Sequence, residues 1–78
     1  MKRLEIEVLS DSPNAAIVRM PGRAFPGVVI QGDTLSILAA GAIEHPEETA
    51  EALNALLSHY ILTLDSEKTD LPFSRPQK

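Results

Sequence analysis

The sequence contains no cysteine. That excludes disulfide staples, thiolate nucleophiles and thiolate metal sites together. No apolar run approaches the ~20 residues that span a bilayer. After Met1-Lys2-Arg3 the chain alternates acidic and apolar residues instead of forming the apolar core of a signal peptide. A soluble, cytoplasmic protein with no membrane partner is therefore expected. Clustered basic residues are missing too. Residues 1–32 carry four basic and three acidic side chains, and residues 33–78 carry three basic and eight acidic ones. Neutralising phosphates takes grouped Lys and Arg, so no nucleic-acid polymer is expected as a partner. The only histidines are His45 and His59. Zinc would need further ligands from carboxylates such as Glu44 or Glu48. No metal and no cofactor are expected.

A chain of 78 residues holds one domain. A domain of this size buries only roughly 60% of its unfolded surface, which leaves little stability to support a strained catalytic pocket. No paired constellation compensates. Glu47, Glu48 and Glu51 stand close together, but the start of a helix attracts acidic residues without any catalytic role. Ser36 and Ser58 have no histidine that spacing can assign to them. The expectation is a protein that is not an enzyme. A small enzyme using Glu48 or His59 is the third and last of the readings considered.

Leu4-Glu5-Ile6-Glu7-Val8 has the period of a strand with one buried and one wet face. Ser10 to Asn14 is dense in turn formers. Ala15 to Met20 reads as a second strand, and Pro21-Gly22 as a tight turn. Arg23 to Gln31 reads as a third extended segment whose first half is weakened by Pro26. Asp33 is a candidate N-cap for a helix from Thr34, and Pro46 ends that helix and opens the next. Leu53, Leu56, Leu57, Tyr60, Ile61 and Leu64 make the second helix amphipathic to about Ser66. The predicted fold is α+β. A three-stranded antiparallel meander is followed by two helices on one face (β-β-β-α-α), a two-layer sandwich. The domain covers residues 1–66, and residues 67–78 form a loosely ordered tail. Leu4, Ile6, Val8, Ala16, Val18, Val28 and Ile30 are expected to face the helices. Ile17 and Val29 then fall on the wet face.

The segment from Arg19 to Asp33 is the most unusual. Gly22, Gly27 and Gly32 recur every five residues. Glycine allows close backbone approach, and arginine grips carboxylate or phosphate with two parallel hydrogen bonds. Arg19 and Arg23 are candidate anion ligands, Phe25 a stacking surface, Gln31 a reader of a base edge, and Thr34 the start of a helix with free N–H groups. The ordinary reading is that the glycines make turns and the arginines are solvated. Asp33 opposes an anion, and the spacing is neither a P-loop nor a dinucleotide fingerprint.

Pro21 to Leu35, PGRAFPGVVIQGDTL, resembles a motif of a family of small bacterial proteins, a domain of unknown function. That motif reads P-G-R-x-F-P-G-V-x-x-Q-G-D-[ST]-L. The Pro72-Phe73 pair near the end is read as part of the same pattern. The resemblance implies a shared fold and a shared surface around Arg23 and Gln31. It implies no reaction.

Two functional expectations follow. The first is a protein-interaction module, homodimeric through Ile17 and Val29 on an exposed sheet face, whose acidic helical half suits a basic protein partner. An immunity or antitoxin protein is one concrete form. The second is a sponge or sensor for an anionic small molecule such as a nucleotide, held by Arg19, Arg23, Phe25, Gln31 and Thr34.

Overall fold

The computed structural model describes residues 1–12 and 15–75. The chain runs β1 (Glu7–Asp11), β2 (Ala15–Arg19), β3 (Gly27–Ile30), α1 (Gly32–Glu44) and α2 (Pro46–Ser66). The strands form one antiparallel sheet in the order β1-β2-β3. This is the α+β order expected from the sequence.

Local chemistry explains most boundaries. Pro21-Gly22 forms the turn between β2 and the approach to β3. Gly22 has φ +78°, and the Arg23 N–H donates to the Met20 carbonyl at 3.1 Å. Glycine takes that positive φ without steric cost. Pro26 lies outside the ladder, and β3 begins at Gly27. Pro13 and Asn14, in the predicted hairpin loop, lie outside the described residues. Pro46 occupies the first turn of α2, with Glu47 and Glu48 beside it. The start of α1 is a correction. The helix opens at Gly32 with Gln31 as its extended N-cap, not at Thr34 with Asp33. Asp33 sits inside the first turn, and its carboxylate accepts the Thr34 N–H at 2.8 Å.

The first strand is also displaced. β1 begins at Glu7, so Leu4 and Ile6 precede it and are exposed. Val8 pairs with Val18 and Ser10 with Ile17, leaving Leu9 as the extra residue of a bulge. The bulge turns Ser10 toward α2, where its hydroxyl meets His59. Leu9 packs beside the core, and Val8 is exposed.

The predicted faces of β2 are reversed. Ile17 pairs with Val28 and Ala15 with Ile30. Cross-strand partners share a face, so these four residues turn toward the helices. Ala16, Val18 and Val29 alternate to the opposite face, where Val18 is still buried, at 5% exposed. Ile17, expected on the wet face, is 0% exposed and forms the core with Tyr60 and Leu64. Val29 is 52% exposed, as expected. Short apolar strands fix their parity through register, which residue types alone do not specify.

Tyr60 ties three parts of the chain together. Its hydroxyl donates to the Pro26 carbonyl at 2.6 Å. Its ring stacks on Phe73 with centroids 6.1 Å apart. Leu71 packs against the same cluster, and Arg75 pairs with Asp65 on α2. The described part of the segment after α2 is thus held against the body. The Arg75 guanidinium also holds the Asp65 carboxyl below its ordinary pKa.

Burial raises the Tyr60 pKa above its ordinary value. A raised phenol pKa means that the folded state favours the neutral form. The stabilisation is complete below the unfolded pKa of about 10 and is lost as pH rises through the folded value. Tyr60→Phe should cost about 1 kcal/mol at neutral pH through the lost hydrogen bond. It should also flatten the alkaline fall in stability. Denaturant melts of both proteins across the alkaline range check this. The chain has a single tyrosine, so phenolate absorbance reads its titration directly.

Candidate interaction surface

α1 is apolar nearly all round. No charged residue occurs from Thr34 to Ile43. Such a helix is normally buried. Here α1 has no buried residue at all. It packs chiefly against α2, and α2 makes the main contacts with the sheet. The two helices come close at Gly41, where a Cβ would land on the Thr49 hydroxyl, well inside contact distance. Thr49 is buried there. With no side chain, Gly41 lets α2 come close at this point.

Leu38, Gly41 and Thr34 point toward α2 and are half-buried. Leu35, Ala39, Ala42 and Ile43 follow at the spacing i, i+4, i+7, i+8 and share another face. All four are exposed, Leu35 at 58% and Ile43 at 84%. Sequence reasoning assigned Leu35 and Ile43 to the helix without identifying this surface. The available signal was the absence of charge: a helix with no polar side has none to turn to water.

Open apolar grooves flank α2. One, about 420 Å³, lies between α1, α2 and the sheet and is lined by Ala15, Ile30, Leu38, Ala52 and Leu56. His59 closes its end, with Nε2 at 3.1 Å from the Ser10 Oγ. The pairing joins residues 49 apart in sequence and was not foreseen. It aligns a hydroxyl with an imidazole, but among the described residues no carboxylate is hydrogen-bonded to that ring to orient it as a base. Another groove, about 300 Å³, runs between Val28, Leu53, Leu57 and Phe73.

The five candidate anion ligands do not converge. Arg19 and Arg23 line one cleft of about 290 Å³, which they share with Glu5 and Glu7. The Arg19 guanidinium is 3.4 Å from the Glu7 carboxylate. Phe25 lines a different hollow with Asp65, Lys68 and Arg75. Thr34 faces the groove beside α1, and Gln31 is exposed at the N-cap of α1. Among the described residues, no three His, Asp or Glu side chains are grouped to hold a metal ion. No helix among them is long and apolar enough to cross a membrane.

A family of unknown function, DUF6959, matches residues 1–51. The chain belongs to that family. The match takes in the sheet, all of α1 and the first residues of α2. It therefore includes the Gly41–Thr49 crossing and the exposed stripe of α1. Tyr60 and Leu64 of this DUF6959 chain lie beyond it. No curated protein and no solved structure matches the chain.

Proposed function

We propose that this DUF6959 chain is a non-enzymatic protein-interaction module of the cytoplasm, homodimeric, which covers a basic protein partner in the manner of an immunity or antitoxin protein. One observation carries the reading. The helix α1, which carries no charge from Thr34 to Ile43, has no buried residue within its own chain. Exposed apolar faces of this kind mark protein-binding surfaces. The acidic residues are placed apart from that stripe. Glu47, Glu48 and Glu51 are exposed on the N-terminal half of α2, where they offer a separate face to positive charge. We also infer that the family is bacterial and that the Pro21–Leu35 run is its signature.

The alternative, binding of an anionic small molecule such as a nucleotide, keeps one supporting observation. Arg19 and Arg23 share a cleft. The two carboxylates in that cleft disfavour an anion there, and Phe25, Gln31 and Thr34 lie elsewhere.

One experiment separates the readings. The chain is purified gently from cells and weighed by native mass spectrometry. A co-purifying basic protein is expected, lost from Glu47→Lys/Glu48→Lys/Glu51→Lys and retained by Arg23→Ala. An added mass of small-molecule size, lost from Arg23→Ala instead, overturns the interaction reading in favour of the anion.

A further inference from the structure

The molecule exposes more surface than its mass warrants. A compact monomer of 8.5 kDa exposes about 4,650 Å², and this chain exposes 6294 Å². The excess is about 1,600 Å², whereas each partner in a standard-size interface buries about 800 Å². Assigning half of the excess to the two chain ends still leaves enough for such an interface. The radius of gyration is likewise 13.8 Å, against about 11.5 Å for a compact chain of this length. With extents of 38 × 37 × 19 Å the molecule is a slab.

We infer that the missing layer is a second copy of this chain, docked through α1 in an antiparallel, two-fold pairing centred on Ala39. This deepens the interaction reading, on which it rests, by naming one partner and its surface. Three observations choose a second copy. The excess surface of the whole chain is of the size that a stable dimer buries. The stripe carries no charge, so it meets itself without repulsion, whereas the net −4 of the chain is placed outside it. The stripe is also symmetric about Ala39. An axis there brings Leu35 of one copy to Ile43 of the other, with the small Ala39 side chains at the point of closest approach. Large residues at the ends and a small one at the centre are what a close helix crossing needs.

The test is the mass in solution and its response to single changes. The wild type is expected at twice 8.5 kDa at micromolar concentration. Ala39→Glu sets two carboxylates against each other at the axis and should raise the dimer dissociation constant about 100-fold or more, with helical circular dichroism retained. Val29→Asp, on the far side of the sheet, should leave the dimer intact. Because the chain has no cysteine, Ala39→Cys provides a second readout that does not depend on the tolerance of a buried charge. Mild oxidation should join two copies through that single site, while Leu62→Cys, exposed on α2, should not cross-link. A wild type that stays at 8.5 kDa overturns the inference. So does a dimer that Val29→Asp splits and Ala39→Glu does not. A folded Ala39→Cys that fails to cross-link overturns it as well. A monomer that still carries a basic protein on its acidic face would reject this pairing and leave the interaction module standing.

Discussion

Ile17→Asp should leave no folded population, whereas Val29→Asp should fold with nearly wild-type stability. The two residues are both β-branched, and they lie on adjacent paired strands of one sheet. Their difference is the face. Ile17 is 0% exposed against Tyr60 and Leu64, and Val29 stands half in water. A charge placed at Ile17 has no cation to pair with in the cluster. An uncompensated buried charge costs several kcal/mol, and removing the isoleucine adds the loss of its burial and the strain of the site, about 2–5 kcal/mol. A domain of 78 residues has roughly 4–12 kcal/mol in total. The sum of the two effects is as large as most of that range. Far-ultraviolet circular dichroism and a denaturant melt read the outcome. A cooperative transition in Ile17→Asp, or its absence in Val29→Asp, would mean that the two faces of the sheet have been assigned the wrong way round.

The same pair of residues marks where the sequence stops being legible. Element order, the Pro21-Gly22 turn, the break at Pro46 and the whole of α2 are visible in residue types, because proline, glycine and a long 3.6-residue period act locally. The facing of β2 is not. Ala15 to Arg19 is apolar on both sides apart from Arg19, so alternation offers no choice, and the deciding fact is which residue of β3 pairs with Ile17. The bulge at Leu9 compounds this by shifting register within β1. The candidate surface fails to announce itself for a related reason. Leu35 and Ile43 look like core residues, and only the tertiary arrangement packs α1 chiefly against α2. The anion hypothesis grouped five residues because they are close in sequence. An extended strand followed by a helix carries neighbours apart, and Arg19, Phe25 and Thr34 end in three different hollows.

Gly41→Ala should destabilise the helical hairpin, and Thr49→Ala should reverse that loss. Two effects of the first change oppose each other. Alanine in place of glycine favours an isolated helix by about 1 kcal/mol. The added methyl meets the hydroxyl of Thr49, which is itself buried, and forced overpacking typically costs about 1–3 kcal/mol. The clash outweighs the gain in helix preference wherever Thr49 cannot turn aside. Burial restricts that freedom, and a β-branched side chain in a helix has few χ1 positions to adopt. The double variant removes the obstacle and keeps the better helix former, so it should melt above Gly41→Ala and close to or above the wild type. A coupling of about 1–2 kcal/mol between positions 41 and 49 is expected, within the range for residues in contact. In thermal melts of a domain this size each kcal/mol appears as a shift of about 4–8 °C. Additive single changes, with no coupling, would show that the helices do not cross at this point. The crossing also sets the direction in which α1 presents Leu35, Ala39 and Ile43. Gly41→Ala should therefore weaken self-association as well as stability, and the double variant should restore both together.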